Sequence, residues 1–243
     1  MFVANSCSAL TKGSSMVGLT DRVRVWAPAM ALLCLAGSAA TCRAEDNDLN
    51  GPVVRVEEDW ELQLGEPQSS DMSPQISTYM WAKDGFPLTM SVHLNFAPYG
   101  VFAIGGVQTI ASVDDSVVAM QSSGPQAPLQ TDGEKITWTQ VMAVSNGNLA
   151  FGVDNFSSWT WGQLGLGDTA ISVPADGLSD LNGYLPRKSL VASGVGYGAN
   201  RVESLNLVKV RMFDAEGNVL ELSGSNLADV NESSTDGQVA VAE

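Results

Sequence analysis

The sequence predicts an all-β protein: an antiparallel β-sandwich with few or no helices after its first 44 residues. Three observations predict it. Apolar and polar residues alternate in short runs, turn dipeptides separate the runs, and nowhere after residue 44 do apolar residues recur at i, i+3, i+4 and i+7 for three turns. Many short strands at regular spacing, with no helical stretch between them, build a sandwich or barrel.

The clearest alternation is LTMSVHLNF, where Leu88, Met90, Val92, Leu94 and Phe96 face one way and Thr89, Ser91, His93 and Asn95 the other. VRVEEDWELQL repeats the pattern, with Val54, Val56, Trp60, Leu62 and Leu64 as its apolar members. Further strands are predicted over 76–81, 100–110, 116–121, 136–144, 149–153, 158–163, 169–173, 190–195, 202–213 and 219–222. Asn146-Gly147 lies between two such runs, and both residues tolerate positive φ, so a tight hairpin is expected there. Asp214–Asn218 joins the last two strands in the same style. Residues 121–133, with two prolines, read as a surface loop.

Residues 1–44 read as an export signal. Lys12, Arg22 and Arg24 form a basic lead, an apolar run follows over 25–40, and Cys42-Arg43-Ala44 offers a small-x-Ala cleavage site. The run contains Pro28 and Gly37 and falls short of the ~20 residues a spanning helix needs. No later segment is apolar enough to span a bilayer. A polar leader at 45–52, a sandwich domain at 53–223 and an acidic, disordered tail at 224–243 complete the expected organisation. Export places the protein in the periplasm, at the cell surface or outside the cell. Its three cysteines, Cys7, Cys34 and Cys42, all lie in the signal, so no disulfide is available to the mature chain.

Charge excludes one large class of partner. The chain has 12 basic and 27 acidic residues, a net charge of −15, and no cluster of Lys or Arg to hold a phosphate backbone. His93 is the single histidine, which excludes a histidine-built zinc site, and the lack of any cysteine after the signal excludes Cys/His catalysis. No G-x-S-x-G elbow follows the signal. Gly194-x-Gly196-x-x-Ala199 matches a dinucleotide fingerprint, but strand sequence follows it where a helix is required.

Three constellations carry chemistry. Asp46-x-Asp48-x-Asn50-Gly51, with Glu57 at the twelfth position, fits the oxygen-ligand spacing of a calcium loop, so calcium is the one cofactor the sequence suggests. The flanking sequence is strand rather than helix, which favours a solvated acidic leader. Glu57, Asp59 and Glu61 alternate along one strand and share a face. Three such carboxylates could supply a nucleophile and an acid/base for glycoside cleavage. Trp138, Trp159, Trp161, Tyr184 and Tyr197 are the aromatics that could stack on sugar rings, against the alternative that they fill the core.

Three resemblances follow from these residues. Glu57-Glu58-Asp59-Trp60-Glu61 resembles the catalytic strand of the laminarinase and lichenase glucanases, which implies Glu57 as nucleophile, Asp59 as its helper and Glu61 as acid/base. It departs at Glu58, where that family has an apolar residue. The C-terminal SGVGYGANRVESLNLVKVRMFDAEGNVLEL resembles the closing strands of concanavalin A-like (laminin G-like) sandwiches, implying a jelly roll that often binds glycans, sometimes through calcium. The opening RVEEDWEL resembles uncharacterised exported bacterial proteins. The functional expectation is a non-catalytic module that binds glycan or another cell-surface or matrix component. A structural envelope or matrix protein and a glycoside hydrolase are the alternatives.

Overall fold

The computed structural model describes residues 49–67, 74–96, 105–123 and 127–223. The signal reading, Asp46, Asp48 and the acidic tail lie outside these residues. Twelve strands run in chain order: β1 (Val53–Leu64), β2 (Gln75–Trp81), β3 (Leu88–Leu94), β4 (Val107–Val113), β5 (Ser116–Ser123), β6 (Lys135–Ser145), β7 (Asn148–Ser158), β8 (Gly162–Leu164), β9 (Ile171–Pro174), β10 (Gly194–Tyr197), β11 (Val202–Asp214) and β12 (Val219–Ser223). Two short helices, α1 (Leu166–Thr169) and α2 (Pro186–Ala192), interrupt them.

The strands form two antiparallel sheets, so the fold is the β-sandwich that the alternation predicts. The seven-stranded sheet is ordered β12-β11-β1-β6-β7-β8, with β9 also on β7. The five-stranded sheet is ordered β10-β2-β3-β4-β5. Period-two patterning gives each sheet one apolar face, and the two apolar faces make the core. From the larger sheet come Val56, Trp60, Leu62, Ile136, Trp138, Met142, Leu149 and Phe151. From the smaller come Ile76, Met80, Leu88, Met90, Val92 and Leu94. Trp60 and Trp138 are cross-strand partners, with their rings parallel to within 9° and centroids 6.3 Å apart.

The Asn146-Gly147 hairpin forms as expected, with both residues at positive φ and Ser145 opposite Asn148. Asp114-Asp115 makes the same kind of turn between β4 and β5, also with both φ values positive. Acidic residues reach this conformation because their short polar side chains tolerate it.

Three strand expectations need correction. The first half of residues 190–195 is helix: Pro186, with its fixed φ, sits in the first turn of α2, and strand begins only at Gly194. Residues 158–163 break at a turn, because Gly162 takes φ 78° and separates β7 from β8. Residues 169–173 straddle the end of α1 and β9. Thr169 there does the work of a strand residue: its hydroxyl exchanges hydrogen bonds with the Val153 N–H and C=O, filling the edge of β7 between β8 and β9. Its own carbonyl accepts from Thr109 of the opposite sheet at 2.5 Å. Of the expected strand at 100–110, residues 105 and 106 precede β4, which starts at Val107, and 100–104 lie outside the described residues.

Glu134 shows how the core-side ends are closed. Its carboxylate is fully buried and accepts from the Ser158 hydroxyl, the Thr160 N–H at 2.9 Å and the Thr160 hydroxyl at 2.6 Å. Glu134→Ala leaves all three donors unpaired and is expected to cost about 2–3 kcal/mol, measured by urea unfolding. A cost near zero would mean that water replaces the carboxylate. Arg201 is equally buried and donates to the carbonyls of Leu129 and Gly65, a structural role for the Asn-Arg-Val segment.

Candidate functional site

Each sheet has an outer face, and the two differ sharply. The outer face of the larger sheet carries an ion-pair lattice. Glu57, Asp59 and Glu61 do share this face, as their spacing requires. Glu57 is 6% exposed and lies between Arg55 and Arg211, the second at 3.1 Å. Arg211 also reaches Asp59 at 2.8 Å, and the Thr139 hydroxyl donates to the same Asp59 oxygen at 2.7 Å. Glu61 pairs with Lys135 at 2.5 Å, and Lys209 with Glu221 at 3.2 Å. Burial raises the Glu57 carboxyl above its ordinary range, while the two arginines pull it back down. The lattice crosses four strands, and each member of the candidate catalytic trio has a cationic partner, Arg211 being shared by Glu57 and Asp59.

The calcium spacing meets a different geometry. Positions eight to twelve of the motif, Val53–Glu57, are extended β1 rather than a curled loop, and Glu57 is held by two arginines. Asn50 precedes the strand on the surface. Among the described residues no group of three or more His, Cys, Asp or Glu side chains is placed to hold a metal ion.

The five candidate aromatics separate into two sets. Trp138, Trp161 and Tyr184 are buried. Trp161 stacks on Phe156 and donates its indole N–H to the Ala127 carbonyl at 2.8 Å. Trp159 is 71% exposed at the β7–β8 turn and Tyr197 43% exposed on β10. Trp159 and Trp161 therefore do not share a face, because the chain turns between them.

Tyr184 belongs to a buried polar cluster. Its hydroxyl donates to Glu58 and lies 2.9 Å from the Ser189 hydroxyl of α2, while Trp60 Nε1 donates to the other Glu58 oxygen at 3.0 Å. Glu58 is fully buried, and burial pushes its carboxyl up to about 7. Gln140, its cross-strand partner, is also fully buried. The cluster fastens α2 to the inner side of β1.

The outer face of the smaller sheet is of another kind. Its five strands contain no Asp, Glu, Lys or Arg, so among the described residues every such charge carried by a strand lies in the larger sheet. Gln75, Ser77, Tyr79 and Trp81 of β2 project outward, opposite the buried Ile76, Thr78 and Met80. Beside them stand Thr89, Ser91 and His93 of β3, then Gln108 and Ile110 of β4. Tyr79 stacks on Trp81 at 5.9 Å and meets the His93 ring edge-on at 6.0 Å. His93 Nδ1 lies 2.8 Å from the Ser77 hydroxyl and Nε2 2.9 Å from that of Ser91. Burial lowers the His93 pKa, which favours the neutral ring that one donating and one accepting hydroxyl suit. Lys188 of α2 lies 5.0 Å over Trp81 and 3.3 Å from Asp84. Tyr197, paired in register with Gln75, extends the row onto β10.

The predicted strand over 76–81 contains Tyr79 and Trp81, which are not among the five candidate aromatics. The signal was present: the two aromatics are two residues apart, on the parity opposite to the apolar Ile76 and Met80.

The described residues thus form an antiparallel β-sandwich with one charged and one uncharged aromatic face. No protein-family model matches the chain, and no curated protein matches it in sequence. A crystal structure of scytalido-glutamic peptidase with a transition state analog inhibitor aligns over 70% of this chain and 78% of its own, at 10% identity and a TM-score of 0.26. That likeness is too distant to carry a functional argument.

Proposed function

We propose that this chain is an exported, non-catalytic module that binds neutral glycan on the outer face of its five-stranded sheet. One observation carries the reading: in a chain of net charge −15, five adjoining strands hold no ionised side chain and present aromatic rings flanked by hydroxyls and amides. A sugar ring offers an apolar C–H face to Tyr79 and Trp81, and its hydroxyls exchange hydrogen bonds with Gln75, Ser77, Thr89 and Gln108. Neither requirement calls for charge. The export reading of residues 1–44 and the concanavalin-like resemblance of the closing strands agree with this role.

Retention of the full chain on neutral polysaccharides, and on uronic-acid polymers as the contrast, tests it. Trp81→Ala and Tyr79→Ala are each expected to weaken retention about tenfold or more, as truncated aromatic anchors do. Added salt is expected to change retention little, because no strand of the binding face carries an ionised side chain. No retention by any neutral glycan, or retention that both variants leave intact, ends the proposal.

A further inference from the structure

One chain of hydrogen bonds crosses from the larger sheet to the smaller, and α2 is its middle link. The Tyr184 hydroxyl donates to the buried Glu58 carboxyl of β1 and lies 2.9 Å from the Ser189 hydroxyl of α2. The Ser189 carbonyl accepts from the Ser193 hydroxyl at 2.7 Å. The Ser193 hydroxyl in turn accepts from the Tyr79 N–H of β2 at 3.1 Å. Lys188 adds its contacts with Trp81 and Asp84. Beyond these polar contacts α2 is lightly held. Its buried residues are Pro186 and Ser189, Leu190 packs partly against the core, and Val191 is 63% exposed. Segments with so few buried apolar contacts are the ones that open without the rest of a domain.

Glu58 supplies a charge that can drive such an opening. The side chains that meet it are Trp60 of its own strand, Gln140 of β6, Val210 of β11, Tyr184 and Ser189. Of these only Tyr184 titrates, and burial pushes its hydroxyl up as well. The charges of α2 stand elsewhere: Arg187 is exposed and Lys188 lies over Trp81. Glu57, Asp59 and Glu61 on the opposite face of β1 each have a cation, whereas no charged group acts on Glu58. A buried carboxylate with no counter-charge is costly, so the closed form keeps the proton, and its loss favours any motion that admits water. Ser189 sets α2 directly against the Glu58–Tyr184 pair. We propose that α2, with Ser193, is a strap that opens when Glu58 loses its proton, admitting water to the Glu58–Tyr184 pair and lifting Lys188 off Trp81. On the glycan reading above, the opening clears the ring face that Lys188 covers; this consequence alone rests on that reading.

Amide hydrogen exchange of the full chain from pH 5 to 8 tests the strap without any glycan. Each rate is set against that of the same amide in an unstructured peptide, which removes the ordinary rise of exchange with pH. The probes are the Lys188 and Ser193 amides, bonded to the carbonyls of Leu185 and Ser189, and the Tyr79 amide. In the open form Glu58 returns to its ordinary 4.5 and gives up a proton that the closed form holds until about 7. Protection at the three amides is therefore expected to fall about tenfold per pH unit up to near 7 and then level off. It is expected to stay well below that of the β6 and β7 amides, because the strap opens while the sandwich stays closed. Glu58→Gln cannot ionise, so its profile is expected to be flat; His93, which titrates beside Tyr79, is unchanged in that variant. A flat profile in the wild type, the same slope in Glu58→Gln, or protection equal to that of β6 and β7 overturns the proposal. A strap with the expected profile in a chain that no neutral glycan retains upholds the strap and ends the glycan reading.

Discussion

Raising the pH from 4.5 to above 7 is expected to remove roughly 3 kcal/mol of stability through Glu58 alone. The carboxyl has an ordinary value of 4.5 in the unfolded chain and about 7 in the folded one, where burial outweighs the hydrogen bonds from Tyr184 and Trp60. Its folded value is raised, so between these limits the native state holds the proton and the unfolded state has lost it. Stability is therefore fully present below pH 4.5 and declines until the buried group ionises near 7. Glu57, also raised by burial, tilts the profile the same way, and His93, lowered by burial, tilts it the other way. Glu58→Gln isolates the Glu58 contribution, because the amide copies the protonated acid: its oxygen can accept from Trp60 and its NH2 can donate to the Tyr184 oxygen. The variant is expected to match the wild type at pH 4 and exceed it by roughly 3 kcal/mol at pH 8. Urea unfolding across this range measures both. Parallel pH profiles for the two proteins would mean that Glu58 reaches water or a cation.

The second large effect lies two pairs along the same strands. Trp60→Ala is expected to cost about 3–5 kcal/mol, a large part of the stability of an ordinary domain. The ring is 2% exposed, stacks on Trp138 and joins β1 to β6 at the centre of the core. A subtler contrast separates packing from hydrogen bonding. Trp60→Phe removes the donor to Glu58, whereas the Trp138 indole N–H is buried without a partner. At similar loss of ring area, Trp60→Phe should be the more damaging by about 1 kcal/mol. Equal costs in urea unfolding would assign the whole effect to packing.

Much of the fold is legible because a strand's period is two. Parity along VRVEEDWELQL places Val56, Glu58, Trp60 and Leu62 on one side and Glu57, Asp59 and Glu61 on the other, and the sandwich keeps that division. Reading parity strictly would have put Glu58 inside. The helix at 186–192 was less legible, because Leu190, Val191 and Ala192 suit either structure and Pro186 decides between them. Composition does not say which rings a second sheet covers, so the sequence leaves the aromatics between core and surface.

The sequence by itself determined the fold class, the turns at Asn146-Gly147 and Asp214–Asn218, and which side chains share a face of each strand. These are local matters, governed by backbone sterics and alternation. Only the tertiary structure decided that Arg211 would reach Glu57 and Asp59, that Tyr184 and Ser189 would meet Glu58, and that Tyr197 would stand beside the row of Tyr79 and Trp81. Parity assigns a residue to a face but says nothing about which strand lies next to it. That order depends on how two apolar faces of unequal width close over one core.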